Sequence, residues 1–561
     1  MAAVPQTETL DFLTRRLAGH GPVERIDTHA SIVLMAGDHV LKLKRAVRFP
    51  FLDFSTPRRR LAACRAELAV NAGAGRLYRG VHRITRATDG GLALDGAGRL
   101  VDAVVAMRRF PQDNLFDRMV QDGRLTPALV TDLARRLATA HAEAPVSKAR
   151  GAAAMADLVA LNDRSLRACG LVPDREADAL TALFQDRLSR HAARLDARGR
   201  EGKVRRCHGD LTLRNICLFG GVPTPFDALE FDERLATIDV LYDLAFVLMD
   251  LWHRGRPDLA NLLFNRYLDE TDDAPDAGLM PFLMALRAVI RAHVTASQAV
   301  ATEPMAGQAA AGKTTAGKTT VSKTTVSKTT CAPTDGDAEA GATALRGEAT
   351  AYLALARDLL AEIPPCLVAV GGLSGSGKST LAAALAPRLG AAPGARIVSS
   401  DRTRKRLHGV VPLTRLPPGA YAASVSEQVY ATMRDEAAGV LAGGASVVLD
   451  AVFDRPAERE AVAGLAASCG VTVQGVWLQA PLAILADRIA IRRNDPSDAT
   501  PAILADQARR DCGAITWLRL DAGQPPEALA ADVMRAGRLD ASGRGGEGDP
   551  AAHSVLSRVP A

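Results

Sequence analysis

Two stretches of this chain have residue spacings that a single site cannot combine. The run Gly372-Leu373-Ser374-Gly375-Ser376-Gly377-Lys378-Ser379 has the spacing G-x-x-x-x-G-K-[ST], a backbone loop that cradles phosphates ahead of a helix. The run His208-Gly209-Asp210-Leu211-Thr212-Leu213-Arg214-Asn215 has the spacing H-x-D-x-x-x-x-N, in which the Asp takes a proton from a hydroxyl and the Asn holds Mg²⁺. Each spacing demands its own surrounding strands and helices. The simplest chain carrying both is two nucleotide-using domains in tandem, and 561 residues is too long for one core.

A repeat marks the boundary between them. Residues 311–330 read AGKTT-AGKTT-VSKTT-VSKTT, with too little apolar content to bury a core, so 305–348 is expected to be a flexible linker. The letter matches Gly307–Thr314 and Gly312–Thr319 inside it are rejected. Neither follows an apolar strand or opens an apolar helix, which the phosphate loop requires. Four of the charges behind the net +6 are Lys313, Lys318, Lys323 and Lys328 of this segment. The remaining sequence is close to neutral, so charge is a weak argument for a nucleic-acid partner. The expected organisation is 1–304, the linker 305–348, 349–540, and a Gly-, Ser- and Ala-rich tail 541–561.

None of the 8 cysteines forms a C-x-x-C pair, and no His cluster has zinc spacing. Cys207 and Cys217 are expected to fill small buried positions. Met1 to Leu13 lacks a basic stretch followed by an apolar one, and no run of ~20 uncharged apolar residues is present. A cytoplasmic protein without a membrane span is the expectation.

Before the linker, 25–110 reads as strand-rich. Ile32–Met35 and His39–Leu43 flank Gly37-Asp38 as a hairpin, a helix follows at about 58–71, and a strand at Ala103–Arg108. Residues 126–200 and 239–300 read as helical. Strands followed by helices predict a two-lobed α+β unit. After the linker, a short helix at 349–361 leads into apolar strands at Leu367–Val370, Arg396–Ser399, Val447–Leu449, Val473–Leu478 and Ile515–Leu520. Helices alternate with them at Thr380–Leu389, 422–442, 456–468, 481–493 and 525–536. That alternation predicts an α/β domain with a five-stranded parallel sheet.

In the second domain, Gly372, Gly375 and Gly377 allow the tight backbone in which N–H groups converge on an anion. Ser374, Ser376 and Thr380 belong to the same ATP-holding loop. Lys378 is placed to reach the β- and γ-phosphates and Ser379 to ligand Mg²⁺. Asp450 ends a strand beside the loop, where a carboxylate can hold the Mg²⁺ shell. Asp401 ends another strand as a candidate base for an acceptor hydroxyl; helix capping is the competing reading for both Asp residues. Arg488, Arg492 and Arg493 fall on one expected helix as a lid over the γ-phosphate, with a solvated basic face as the alternative. With those residues placed, about 365–540 resembles the P-loop kinases grouped with polynucleotide kinase 5′-end domains and with chloramphenicol phosphotransferase and gluconate kinase. VGGLSGSGKST, VSSD through Arg406, and VVLDAVF carry the likeness. It implies ATP as phosphoryl donor and a hydroxyl acceptor.

In the first domain, Asp210 is the candidate base and Asn215 a Mg²⁺ ligand. Asp227, in Pro225-Phe226-Asp227-Ala228-Leu229-Glu230, is the second metal carboxylate, and three oxygen-bearing groups suit Mg²⁺. Lys42 on the hairpin and Glu67 on the next helix form a candidate ion pair for the α- and β-phosphates, with Lys44 on the same strand face as a competitor. HGDLTLRN followed by FDALEF resembles the aminoglycoside phosphotransferase family, whose fold is that of protein kinases. About 25–300 is covered. LKLKRAVRFPFLDFSTPRRR, CRAEL and MRRFPQDNLFDRM look like bacterial two-domain proteins joining this fold to a P-loop kinase. Two departures stand out. No G-x-G-x-x-G precedes Lys42, which leaves phosphate cover to a residue such as Ser31, and Thr212 stands where the family often has His.

The expectation is therefore a bifunctional ATP- and Mg²⁺-dependent phosphotransferase acting on small hydroxyl acceptors. The alternatives are a non-catalytic ligand-binding first domain, or a second domain that phosphorylates nucleic-acid 5′ ends through Arg402, Arg404, Lys405 and Arg406. The latter is disfavoured because no aromatics interleave with those cations. Acceptor identity and oligomeric state are not legible.

Overall fold

Alternation along the strand His39–Lys44 sends Leu41 and Leu43 to one face of a sheet and Val40, Lys42 and Lys44 to the other. In the computed structural model, which describes residues 6–28, 30–49, 52–148, 151–302, 335–493 and 495–537, both faces are covered. Leu41 and Leu43 join Leu13 and Leu17 of the helix Thr7–Ala18. Val40 joins Cys64 of the helix Pro57–Val70 on the opposite face. The sheet is wholly antiparallel, in the order Glu24–Asp27, Ser31–Ala36, His39–Lys44, Leu100–Arg108, Tyr78–Arg86, Leu92–Leu94. The hairpin turns at Gly37, whose φ of +56° is open to glycine at little cost. Thr56 caps the helix by accepting from the Arg59 N–H at 3.3 Å, and Pro57 opens it.

The chain beyond this sheet is mostly helical. Pro127–Glu143, Gly151–Cys169, Asp174–Arg200, Val240–His253, Pro257–Glu270 and Met280–Thr302 accompany two small antiparallel strand pairs, the hairpin Ile216–Phe219 with Val222–Pro225 and the pair Val204–Arg206 with Thr237–Asp239. One apolar stretch, Ala274–Val300, is long enough to cross a membrane by length and composition, but 78% of its apolar window is buried inside the protein. It is a core helix, and it carries Arg287 and Arg291. Cys207 and Cys217 are buried.

The chain divides into two compact units, Met1–Ala361 and, apart from Ala392–Gly394, Glu362–Ala561. The helix expected to open the second domain lies in the first unit. It runs over Asp335–Leu359, so 335–348, expected to be linker, is helical. Ala342, Ala349, Leu353 and Ala356 are buried along one side of it, a stripe made mostly of alanine. Tyr352 stacks on His253 with ring centroids 3.8 Å apart, and Arg357 pairs with Glu176 at 2.6 Å. The repeats at 311–330 and the tail 541–561 lie outside the described residues.

The second unit is a mixed α/β structure around five parallel strands, in the order Arg396–Ser399, Val447–Asp450, Cys366–Gly372, Thr472–Gln479, Leu518–Asp521. Val368, Val370, Val448, Val476 and Leu478 line its core with Leu381 and Leu385 of the helix Lys378–Leu385. Two helices were not anticipated. Ser400–Leu407 has no apolar stripe, and its buried face is Thr403, Arg404 and Lys405. Pro501–Ala508 begins with the Thr500 cap and Pro501, a start signal present in the sequence. The last strand begins at Leu518 rather than Ile515, and the helix expected to reach residue 493 stops at Ile491.

Gly475 is where this sheet admits no side chain, since a Cβ there would lie 2.3 Å from Cγ of Trp517. Gly475→Ala is expected to displace the indole and lower unfolding stability by about 1–3 kcal/mol. Urea unfolding followed by tryptophan emission checks this; an unchanged midpoint and spectrum would contradict the packing.

Candidate functional site

Lys42 and Lys44 both turn toward the helix Pro57–Val70, and a buried carboxylate meets them there. Lys42 Nζ donates to Glu67 Oε1 at 2.7 Å and to Asp227 Oδ1 at 2.6 Å. Lys44 Nζ pairs with the other oxygen of Glu67 and donates to Glu230 Oε1 at 2.6 Å. Burial by itself would lower both ammonium pKa values. For Lys42 the carboxylates of Asp227, Glu67 and Glu230 outweigh it, and for Lys44 those of Glu230 and Glu67, so both are raised. The two lysines differ in access. Lys44 is 0% exposed, whereas Lys42 lines a cleft with Thr28, Ser31, Arg214, Asn215 and Asp227. Asp227 holds a left-handed φ of +58°, rare for a residue with a side chain. Its N–H donates to the Tyr78 hydroxyl at 3.2 Å, and the next N–H, of Ala228, donates to Asn71 Oδ1 at 3.0 Å.

The loop bearing Asp210 is suspended from one helix. Within Val240–His253, Asp243 and Asp250 sit seven residues apart on the side facing the loop, both buried. Asp243 accepts from the N–H groups of His208 at 3.2 Å and Gly209 at 2.8 Å. Asp250 accepts from the Leu213 N–H at 3.0 Å. The loop is thus gripped on both sides of Asp210. Burial would raise the Asp243 carboxyl, but its contact with His141, together with His208 and Arg287, holds it down at about 2. Gly209 has φ +82°, and a Cβ on it would lie 2.6 Å from Cδ1 of Leu229. Asn215 Nδ2 donates to the Asp210 carbonyl at 2.8 Å and to its carboxylate at 2.9 Å, tying the candidate base to a candidate metal ligand. His141, Cys207 and Asp243 bring three potential metal-binding atoms together. Asp243 is committed to the loop and His141 Nδ1 sits 3.0 Å from the Tyr267 hydroxyl, so the group serves as an anchor.

In the second unit the loop after Cys366–Gly372 closes by backbone contacts that glycine alone permits. At Gly372 (φ +134°) a Cβ would lie 2.5 Å from the Leu478 carbonyl oxygen, and at Gly375 (φ +85°) 2.6 Å from that of Leu485. Gly377, at φ +86°, precedes the helix Lys378–Leu385, whose N-terminus favours an anion. Lys378 Nζ donates to the Leu373 carbonyl at 3.0 Å. Ser379 Oγ donates to Asp450 Oδ2 at 2.7 Å. Ser374 is held by its N–H to Gln507 Oε1 at 2.9 Å, Ser376 is buried, and Thr380 is exposed. Burial lowers the Lys378 ammonium, and it raises the Asp450 and Asp401 carboxyls; Asp450 pushes Asp401 up further. Each of these groups is shifted toward its neutral form, which an added cation and phosphate would reverse. Ser379 with Asp450, and Asn215 with Asp227, are hard oxygen donors of the kind Mg²⁺ takes.

The expectation that Arg488, Arg492 and Arg493 share one helix is corrected, although the Arg492 charge acts on Lys378. The helix ends before Arg492, so Arg488 and Arg492 share no helix face. Arg488 donates to the Ala522 carbonyl at 3.0 Å, and Arg492 lies 3.5 Å from Asp495. Asp243, Asp250, Glu230 and Gln507 were not singled out in the sequence. The first two carried a signal, namely two acids seven apart in an otherwise apolar helix.

Residues 367–510 match the family model described as an AAA domain. Uncharacterized proteins of Mycobacterium bovis and Mycobacterium tuberculosis are 28% identical over 512 residues, covering 89% of this chain and 92% of theirs. Among solved structures, a choline/ethanolamine kinase family protein from Mesorhizobium loti is 17% identical over 62% of this chain and 99% of its own, with a TM-score of 0.31. A gluconokinase from Sinorhizobium meliloti is 21% identical over 32% of this chain and 96% of its own, with a TM-score of 0.23. Scores this low establish no shared function. The loop geometry and the family match together make 367–510 a P-loop nucleotide-binding region.

The Asp243 carboxyl sits below its ordinary 3.8, so its stabilising contribution is complete above about pH 4 and is lost as pH falls through about 2. Asp243→Asn is expected to cost about 2 kcal/mol at pH 7, with the gap to wild type narrowing below pH 4. Urea unfolding at each pH measures it; a gap independent of pH would contradict the assignment.

Proposed function

We propose that the chain is an ATP-dependent phosphotransferase with two nucleotide sites, one per unit, each passing the γ-phosphoryl group to a hydroxyl of a small acceptor. The observation that carries this reading is that each unit has its own lysine, buried in the first and half-buried in the second, with a pair of oxygen donors and a candidate base. In the first unit Lys42, held by Glu67, presents its ammonium to the phosphates, while Lys44 is enclosed by Glu67 and Glu230. Asp210 takes the acceptor proton. In the second, the glycine loop and Lys378 surround the phosphates, and Asp401 is the candidate base. Mg²⁺, held by Asn215 and Asp227 or by Ser379 and Asp450, would neutralise charge developing on the transferred group. In both units catalysis is positioning plus electrostatics.

The reading of the second unit as a nucleic-acid end kinase is weakened by the state of its basic run. Arg404 and Lys405 are buried, Lys405 pairs with Asp498, and Arg406 pairs with Glu436. Arg404 and Lys405 are therefore held inside the protein, and Arg406, though exposed, is paired. A small acceptor, and a cytoplasmic setting that supplies ATP, are parts of the proposal.

Basal ATP turnover separates the sites. Asp210→Ala and Lys378→Ala are each expected to leave residual turnover, and the double variant to fall roughly 100-fold or more. Loss of all turnover in Lys378→Ala alone would reduce the first unit to a ligand-binding module.

A further inference from the structure

A second pocket of the first unit opens beside Asp210 and Gly209. Leu158, Leu161, Ile290 and Val294 give it apolar walls, and Arg287, Arg291, His293 and Tyr242 supply its polar part. Asp210 is the one carboxylate that lines it among the described residues. Arg287 is fixed beside the loop. Its Nη1 donates to the Gly209 carbonyl at 3.3 Å and its Nε to the Tyr242 carbonyl at 3.1 Å, with the guanidinium 3.7 Å from the Tyr242 ring centroid. Three buried atoms at this pocket make no hydrogen bond among the described residues: Arg287 Nη2, the Tyr242 hydroxyl and His293 Nε2. The residues bearing them are 4%, 1% and 5% exposed. The carboxylate facing Arg287 Nη2, Asp243 Oδ1, is 3.9 Å away. Burying polar groups without partners is costly, and two of these three are hydrogen-bond donors.

We infer that this pocket is the acceptor site of the first unit, and that it takes a hydroxylated organic anion with an apolar body. The inference rests on Asp210 being the base proposed above. Arg287 and Arg291 receive the anionic oxygens, the walls bury the body, and the hydroxyl meets Asp210. Burial and the Arg291 charge lower His293 to about 4, so it is neutral near pH 7 and the positive charge comes from the guanidiniums. A polycationic aminosugar would set its ammonium groups against the two arginines in a pocket lined by a single carboxylate, Asp210, among the described residues, and fits less well than an anion. In the transfer, the acceptor O–H gives its proton to the Asp210 carboxylate as its oxygen bonds to the γ-phosphorus. The bond from that phosphorus to the β,γ-bridging oxygen breaks, and ADP leaves with the electron pair.

The test uses the full chain carrying Lys378→Ala, with Mg²⁺ and [γ-³²P]ATP. Three matched acceptor sets are offered: 3-phenyllactate and 3-hydroxydecanoate, their amides, and the corresponding amino alcohols together with kanamycin. Transfer to the acids at 10-fold or greater kcat/KM over the amides is expected. Arg287→Met should lose that preference. Because Arg287 also holds two backbone carbonyls, Arg291→Met is the second variant, expected to lower kcat/KM for the acids about 100-fold while the Kd for Mg-AMPPNP stays within twofold. Equal use of the amides, transfer to the amines or kanamycin, or no transfer to any set while Mg-AMPPNP binds would overturn the inference. Absence of Mg-AMPPNP binding that Asp227→Ala removes would instead sink the underlying reading of the nucleotide site.

Discussion

A lysine buried next to a phosphate site must be balanced before the nucleotide arrives, because an uncompensated buried ammonium costs several kcal/mol. At the two proposed nucleotide sites this constraint is met in opposite ways. In the first, Lys42 and Lys44 share Glu67 and each has a further carboxylate, Asp227 and Glu230. The ammonium groups are held charged by a network that links the hairpin, the helix Pro57–Val70 and the loop at 227–230. In the second, Lys378 rests on a backbone carbonyl and is shifted toward neutrality by burial. There the loop's own N–H groups and the helix N-terminus provide the positive field.

The same requirement explains where the remaining charges go. Pairing Lys42 with Asp227 draws the strand of the antiparallel sheet to the segment after the Asp210 loop. That loop is in turn held by Asp243 and Asp250 from a single helix. A loop gripped at both ends by buried acceptors has little freedom to let Asp210 wander, which is what a positioned base needs. Left-handed backbone occurs at Gly209, beside Asp210, and at Asp227 itself, where a residue with a side chain holds it at a cost.

Much of this was legible because the constraints are local. The phosphate loop is written in glycines and a lysine within eight consecutive positions. The hairpin shows in its period of two, and Lys42 and Glu67 could be matched because one strand face meets one helix. What escaped depended on tertiary context. Asp243 and Asp250 sit in a helix that reads as core. The helix Ser400–Leu407 buries cations rather than an apolar stripe, and the first half of Asp335–Leu359, where Ala342 is buried, reads as linker. Arg492 was misplaced because an expected helix ran two residues too far, and helix ends are the least determined feature of a sequence.

The central claim is that one chain holds two independent Mg-nucleotide sites. Isothermal titration of the intact protein with Mg-AMPPNP measures their number directly. Two equivalents bound, with binding strictly dependent on Mg²⁺, is the predicted result. A single equivalent at saturating ligand would contradict it.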